Sequence, residues 1–354
     1  MKPCYLRKIR WMIFVSLLVL CILITGGCKE NYFAKTPTHA SQILVSWSEN
    51  SPTKSAITEY VQSVTNENSE DFIPVEDRIA VFDEDGTILT EGTDTATVLG
   101  VAVAFYRVEE LIKDGKIDEG DALYDNYRAL QQQLADDPEL SKSGTDLLYA
   151  VMGGAFEGMP VEDYITYVSD FMASKHPNFD MTWSDAFYQP MLELITYLED
   201  NDFTVYIVSG SERTTLWGAN KGILDLPYSQ IIGSDINLYG STQFQDSHKF
   251  SVDDELLRQR TYYGFNFNTA KVYNIYRQIG KRPVMAFGNS SGDYPMINYT
   301  NSNENYHTFT GLLIHDDSKR EYEYDADKSL NACHENGWTP ISMKDDFKTL
   351  WMKE

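Results

Sequence analysis

The chain has 354 residues, of which 42% are hydrophobic and 13% aromatic. This composition provides for one large core, or for a core domain with a smaller insertion, and it excludes a disordered chain. The formal net charge is −24. A nucleic-acid surface needs clustered lysine and arginine, which this acidic sequence lacks, so we expect no nucleic-acid partner.

The first 28 residues have the pattern of a signal peptide. Basic residues precede an apolar run from Trp11 to Thr25, and the pair Gly26-Gly27 then leads to Cys28. The run is short for a membrane span but suits the central region of a signal peptide. The small pair before Cys28 is similar to a bacterial lipoprotein cleavage site, so we expect Cys28 to carry the lipid that holds the protein outside the cytoplasmic membrane. Secretion after cleavage near Gly27, or an uncleaved anchor, is the alternative.

Residues 29–42 are polar and have no periodic pattern, as expected for a flexible tether. Of the remaining cysteines, Cys4 and Cys21 belong to the signal segment. Cys333 is then left without an internal partner, and we interpret it as structural.

Four short apolar runs predict buried strands that alternate with helical patterns. The predicted strands are Arg78–Phe82, Phe203–Val208, Pro283–Phe287 and Thr310–Ile314. This alternation predicts an α/β fold, with a Rossmann-like parallel sheet and helices on both faces. We assign residues 43–94 and 182–354 to this core. Residues 95–181 show only helical periodicity and are predicted to form an all-helical cap, inserted between the first and second motifs.

Polar residues follow three of the predicted strands. They are the segment Asp83-Glu84-Asp85-Gly86-Thr87, the segment Ser209-Gly210-Ser211, and the segment Gly288-Asn289-Ser290-Ser291-Gly292-Asp293. Lys271 begins a helical pattern between the second and third segments. Ligands of open parallel sheets bind beyond the carboxyl ends of the strands, so we expect these four pieces to meet at one edge.

In this order the four pieces resemble the motifs of the haloacid dehalogenase (HAD) superfamily of aspartate-based phosphatases. The local sequences Tyr188-Gln189-Pro190-Met191 and Phe287-Gly288-Asn289-Ser290 resemble those of a bacterial branch near the phosphoserine phosphatases. The resemblance extends from about Ser46 to Trp351. It implies that Asp83 is a nucleophile that forms an aspartyl phosphate, and that Asp85 is the general acid and base.

The resemblance also implies how phosphate and metal are held. Ser209, Gly210 and Lys271 would bind the phosphoryl oxygens. Mg²⁺ is implied because two anions, a carboxylate and a phosphate, must approach each other. Its ligands would be the Asp83 carboxylate, the Asp85 backbone carbonyl and Asn289, with Asp293 as a direct or indirect partner. Many relatives have Asp in place of Asn289, so we predict a weaker metal site than an all-acid version.

Simpler interpretations compete with several of these roles. Asp83 and Asp85 could be turn and capping residues. Lys281 competes with Lys271, but its place just before a strand suggests the opposite edge of the sheet. The run His315-Asp316-Asp317 could bind a metal, although a turn at the end of a strand, with a solvated acidic pair, is the favoured interpretation.

We therefore expect a Mg²⁺-dependent phosphatase for small organic phosphate monoesters. A phosphomutase or phosphotransferase would keep the same four motifs, and a non-catalytic binding lipoprotein is the third possibility. Dehalogenases of the superfamily lack the second acid that Asp85 supplies. Glu91, Arg107 and the pair Gly153-Gly154 are candidates for substrate contacts near the cap.

Overall fold

The computed structural model describes residues 44–92, 94–140, 145–243 and 248–353. The predicted signal peptide, Cys28 and the tether lie outside the described residues. No helix in the described part of the chain has the length and apolar character needed to cross a membrane.

Seven described strands form one sheet, in the order β4-β3-β2-β1-β5-β6-β7. The strands are β1 (Ile79–Phe82), β2 (Thr204–Glu212), β3 (Ile231–Gly240), β4 (Leu256–Gly264), β5 (Met285–Gly288), β6 (Phe309–Ile314) and β7 (Thr339–Ser342). Neighbouring strands are parallel except for the antiparallel pair β3 and β4. The predicted Rossmann-like α/β fold is confirmed.

Ten α-helices are described. They are α1 (Pro52–Thr65), α2 (Leu99–Lys113), α3 (Ala122–Asp136), α4 (Thr145–Gly154), α5 (Val161–Phe171), α6 (Gln189–Asp200), α7 (Arg213–Asn220), α8 (Thr269–Gln278), α9 (Tyr294–Asn301) and α10 (Ala326–Asn336). Helices α2 to α5 follow β1 and precede α6, and none of the seven strands lies among them. The boundaries 95–181 proposed for a separate cap stay a prediction.

The central strand β1 lies between β2 and β5 and is buried at all four positions. The rings of Phe82 and Phe287, on neighbouring strands, stack with their centroids 4.6 Å apart. A continuous apolar run is expected for a strand that is covered on both faces. This packing places the ends of β1 and β5 side by side.

Strand β2 extends to Glu212, four residues beyond the predicted end at Val208. Its register against β3 shifts between Val208 and Glu212, so that Ser209, Gly210 and Ser211 form an irregular stretch. An irregularity of this kind bends a strand and redirects its side chains. The second motif therefore lies within the strand and not after it.

Candidate active site

Lys271 joins the first and last motifs. Its Nζ lies 2.5 Å from Asp83 Oδ1 and 2.6 Å from Asp293 Oδ1, and all three side chains are buried. Lys281, the competing lysine, instead contacts Asp77 Oδ1 at 2.7 Å, just before β1. The structure thus places Lys271 at the carboxyl end of β1 and Lys281 at the amino end.

The second motif contacts the second acid. Ser211 Oγ donates to Asp85 Oδ2 at 2.6 Å, and Ser209 Oγ lies 3.4 Å from the same oxygen. Ser209 is fully buried and its oxygen also accepts from the Ser211 N–H at 3.0 Å. Ser211 was not predicted as a site residue, although the repeated hydroxyl in Ser209-Gly210-Ser211 was a signal for it.

Asp293 organises the fourth motif. Its Oδ2 accepts from the backbone N–H groups of Asn289 at 3.1 Å and Ser290 at 3.0 Å, while its Oδ1 accepts from Lys271. Both carboxylate oxygens therefore already have partners within the protein. Of the two roles left open for Asp293, indirect support of a metal site fits this geometry better than direct ligation.

Asn289 faces the loop after β1. Its Nδ2 donates to Tyr324 Oη at 3.0 Å and lies 3.4 Å from Glu91 Oε2. Gly86 has a φ of +76°, and a Cβ at this position would lie 2.0 Å from Asn289 Nδ2. Only glycine allows both this backbone conformation and such a close approach.

The donor atoms present fit a hard cation. Thr87 Oγ1 lies 3.5 Å from Asp83 Oδ2 and 3.3 Å from Asn289 Oδ1. A hydroxyl has one hydrogen and can donate to only one of these two oxygens. Asp83 Oδ2 and Asn289 Oδ1 are thus neighbouring oxygen donors of the type that Mg²⁺ prefers. Within the described residues, no group of three or more His, Cys, Asp or Glu side chains is arranged to hold a metal ion.

The three residues at the end of β6 point to different partners. His315 Nε2 lies 2.9 Å from the Gly86 carbonyl oxygen, and its Nδ1 lies 3.1 Å from Glu321 Oε2. Asp316 accepts from Ser342 Oγ and Asp317 pairs with Arg320. The two acids are not solvated as expected, since Asp317 is buried, Asp316 is half-buried and both bond within the protein. Sequence reasoning missed the contact of His315 with the first motif.

Burial and mutual repulsion raise the pKa values of the acids of the site. Burial, followed by the charge of Asp293, raises the pKa of Asp83 to about 7. Burial also raises the pKa of Asp85. The pKa of Glu91 lies well above its usual range because of burial and the charges of Asp85 and Asp83. Burial lowers the pKa of Lys271, but the charges of Asp293 and Asp83 more than reverse this and the net pKa is raised. The acids outnumber this lysine, and their raised pKa values favour the protonated forms.

A cavity of about 380 Å³ opens above these groups, within the size range of small-molecule sites. Asp83, Asp85, Ser211 and Lys271 line one side. Of the three candidates for substrate contacts, Glu91 lines the cavity and the other two do not. Arg107 packs over the ring of Tyr167.

The glycine pair has a packing role instead. A Cβ on Gly153 would lie 1.9 Å from the carbonyl oxygen of Arg260, so this glycine lets α4 pack closely against β4. Gly154 faces Leu123, where a Cβ would lie 3.2 Å from the leucine Cδ1.

No protein-family model matches the chain, and no curated protein matches it significantly. Several solved structures are similar to it. A conserved protein of unknown function from Anaerococcus prevotii is 15% identical, with a TM-score of 0.47 over 82% of this chain and 91% of that one. A HAD family hydrolase from Salmonella enterica serovar Typhi is 12% identical, with a TM-score of 0.39 over 77% and 69%. A cytosolic 5′-nucleotidase IIIB bound to cytidine is 13% identical, with a TM-score of 0.40 over 80% and 90%.

All three TM-scores are below 0.5, so the function proposed for this chain rests on its own residues. The fold is a Rossmann-like α/β fold. Its site lies at the carboxyl ends of β1, β2 and β5. There the buried Asp83, Asn289 and Lys271 lie together with the partly exposed Asp85.

Proposed function

We propose that the chain is a Mg²⁺-dependent phosphatase of the HAD type, which hydrolyses small organic phosphate monoesters through an aspartyl-phosphate intermediate. The observation that supports this most is the buried Lys271 held between Asp83 and Asp293, with Asp85 two residues from Asp83. A phosphoryl group needs an in-line nucleophile and positive charge around its oxygens. These residues can supply the nucleophile and part of that charge.

In the first step, an oxygen of Asp83 bonds to phosphorus while the bond from phosphorus to the alcohol oxygen breaks. Asp85 gives its proton to the leaving alcohol. The raised pKa of Asp85 favours the protonated form that this step requires. In the second step, Asp85 takes a proton from water, whose oxygen bonds to phosphorus and releases Asp83.

Other residues of the site bind and orient. Lys271 neutralises charge on the phosphoryl oxygens, and the backbone N–H groups near Gly210 can donate to them. Asp83, the Asp85 carbonyl and Asn289 would hold Mg²⁺, which when bound offsets the repulsion between the carboxylate and the phosphate. The hydrogen bond from Ser211 Oγ holds Asp85 in place.

Replacing the nucleophile tests the proposal. Asp83→Asn keeps the size of the side chain but removes the attacking carboxylate, so we expect phosphate release to fall to the background rate. Asp77→Asn, at the other end of β1, is the matched control and should retain activity. The readout is inorganic phosphate released from a panel of monoesters with Mg²⁺. Full turnover by Asp83→Asn would refute the phosphatase, and an isomerised sugar phosphate as product would indicate a mutase.

We also propose that the mature protein lies outside the cytoplasmic membrane, tethered by a lipid on Cys28. What supports this is the charge and hydrophobic pattern of residues 1–28. In this arrangement the enzyme contacts the membrane only through its lipid, and its substrates are extracytoplasmic small molecules.

A further inference from the structure

Four aromatic side chains lie along one side of the cavity and form what we call the aromatic wall: Tyr149, Tyr262, Phe265 and Phe267. Tyr149 belongs to α4, Tyr262 to β4, and the two phenylalanines to the segment before α8. Ring centroids lie 4.9 Å apart for Tyr149 and Phe265, 5.4 Å for Tyr262 and Phe265, and 5.8 Å for Phe265 and Phe267. The rings therefore form one continuous surface.

Two of the four rings of the aromatic wall are left exposed by the protein. Phe265 is 44% exposed and Phe267 is 43% exposed, although both line the cavity. Covering exposed apolar rings in a concave site with an apolar ligand removes apolar surface from water, which favours binding. Aromatic rings in particular favour offset or edge contacts with a second ring.

The wall borders the reacting groups. A Cβ on Gly210 would lie 2.4 Å from Phe267 Cε1, so this ring packs directly on the backbone of the second motif. The neighbouring Ser211 holds Asp85, the acid that would protonate the leaving alcohol. A group resting on Phe267 is therefore on the side of the site where the alcohol leaves.

The charges of the cavity limit what else the alcohol can carry. Among the described lining residues, Lys271 is the one cation, and it already bonds to Asp83 and Asp293. The other charged lining residues are acidic, and they include Glu91. A carboxylate or a second phosphate on the alcohol would therefore be enclosed there without a free cation to balance its charge.

We propose that the substrate is the phosphate monoester of an uncharged alcohol that bears an aromatic ring, with the ring resting on the aromatic wall. The identity of the reaction rests on the proposed phosphatase function. The binding of the ring does not, because it depends only on the wall.

Two esters with matched leaving groups test whether the enzyme prefers an alcohol that carries an aromatic ring. 2-Phenylethyl phosphate and butyl phosphate both release a primary alcohol, but only the first carries a ring. We expect kcat/KM to be at least tenfold higher for the phenylethyl ester, and phosphoserine to be a poorer substrate than either. Equal kcat/KM values for the two esters, or a preference for phosphoserine, would overturn the proposal.

Phe267→Leu tests the wall itself, because it keeps an apolar side chain and removes the ring. We expect KM for the phenylethyl ester to rise roughly threefold to tenfold, as for the loss of a ring pair, and KM for the butyl ester, which has no ring, to rise less. Phe265→Leu should act in the same direction and serves if the first variant does not fold. Tyr276→Leu, on an exposed face of α8, is the control. An equal loss for both esters would contradict a role in ring recognition.

Binding of the alcohol separates this proposal from the phosphatase proposal. Binding of 2-phenylethanol and butanol to the wild-type protein is compared by ligand-observed NMR, and then repeated with Phe267→Leu. Specific binding of the ring alcohol that weakens in the variant supports the wall even if no ester is hydrolysed. If the esters are hydrolysed but the ring alcohol does not bind in this way, the phosphatase proposal stands and the proposal that the aromatic wall binds a ring is wrong.

Discussion

Asn289 and Glu91 together change the expectation of a weak metal site. Glu91 Oε2 lies 3.4 Å from Asn289 Nδ2, which leaves Asn289 Oδ1 facing Thr87 and the Asp83 side of the site. The amide oxygen is thereby directed to where a cation would bind. Burial raises the pKa of Glu91, but a bound cation would favour the ionised carboxylate, which would then supply the negative charge that asparagine lacks relative to aspartate. From the sequence, Glu91 was considered only as a possible substrate contact.

We predict that Glu91→Gln weakens Mg²⁺ binding roughly tenfold, because a charge a few ångström from a cation contributes about 1 to 4 kcal/mol. The double variant Glu91→Gln/Asn289→Asp again has one carboxylate beside one amide. It should recover most of the affinity for Mg²⁺. Titration calorimetry with Mg²⁺ measures both effects without any substrate. An unchanged affinity in Glu91→Gln would exclude this role.

Glu84 lies between Asp83 and Asp85 and is fully buried. Its two carboxyl oxygens lie 2.9 and 3.0 Å from Asn220 Nδ2, which donates to them. Burial, followed by the charge of Asp85, raises its pKa well above the usual range. The folded protein therefore retains a proton that the unfolded chain loses above about pH 4.5. The carboxyl group thus costs stability as the pH rises.

We predict that Glu84→Gln is more stable than the wild-type protein at pH 8, by about 1 kcal/mol or more, and that the difference disappears near pH 4. Glutamine stays neutral and can still accept from Asn220. The free energy of unfolding across pH 4 to 8 gives the comparison, with the exposed Glu59→Gln on α1 as control. A difference that does not depend on pH would show that the carboxyl group is not the cause.

At the scale of elements, the segment after β6 supports the loop after β1. Glu321 Oε1 accepts from Thr90 Oγ1 at 2.6 Å and from Tyr188 Oη at 2.7 Å, while its Oε2 contacts His315. His315 in turn contacts the Gly86 carbonyl oxygen. These side chains are buried, so the network holds the first motif in a fixed position.

We predict that Glu321→Gln lowers the free energy of unfolding by about 1 to 3 kcal/mol, because the amide nitrogen cannot accept from the network. We also expect kcat to fall about tenfold with little change in KM, since the loop that carries Asp83 and Asp85 moves. Thr90→Val removes one donor and should have a smaller effect on both quantities. A loss of stability with an unchanged kcat would limit Glu321 to a structural role.

Three strands, β3, β4 and β7, were not predicted. β4 lies at the edge of the sheet and has mixed exposure, and β7 has four residues and contains Pro340. Neither has the continuous apolar run by which the central strands were recognised. Edge strands depend on pairing with a neighbour, which no local pattern records.

At the scale of the whole molecule, a lipid on Cys28 would hold the protein on the membrane, as proposed. We predict that Cys28→Ser moves the full-length protein from the membrane fraction to the soluble extracytoplasmic fraction, because buried acyl chains supply the membrane affinity. Cys333→Ala should stay on the membrane. Cell fractionation, with mass spectrometry of the N-terminus, measures both. Retention of Cys28→Ser on the membrane would favour the uncleaved anchor.

The sequence by itself determined that the chain forms a parallel α/β sheet and which side chains come together at its carboxyl edge. Asp83, Asn289 and Asp293 follow buried parallel strands, and the carboxyl ends of such strands share one edge, so local patterns were sufficient to predict their proximity. Lys271 could be preferred over Lys281 for the same reason.

Only the tertiary structure decided how the site is completed. Ser211 reaches Asp85 from an irregular strand end, Glu91 reaches Asn289 from a loop, and His315 reaches the Gly86 carbonyl oxygen from the segment after β6. The aromatic wall joins α4 to the segment after β4. These contacts depend on how distant elements pack, and packing leaves no periodic signal in the residues that make the contacts. Asn289, read alone, predicted a weak metal site, whereas its folded surroundings place Glu91 beside it.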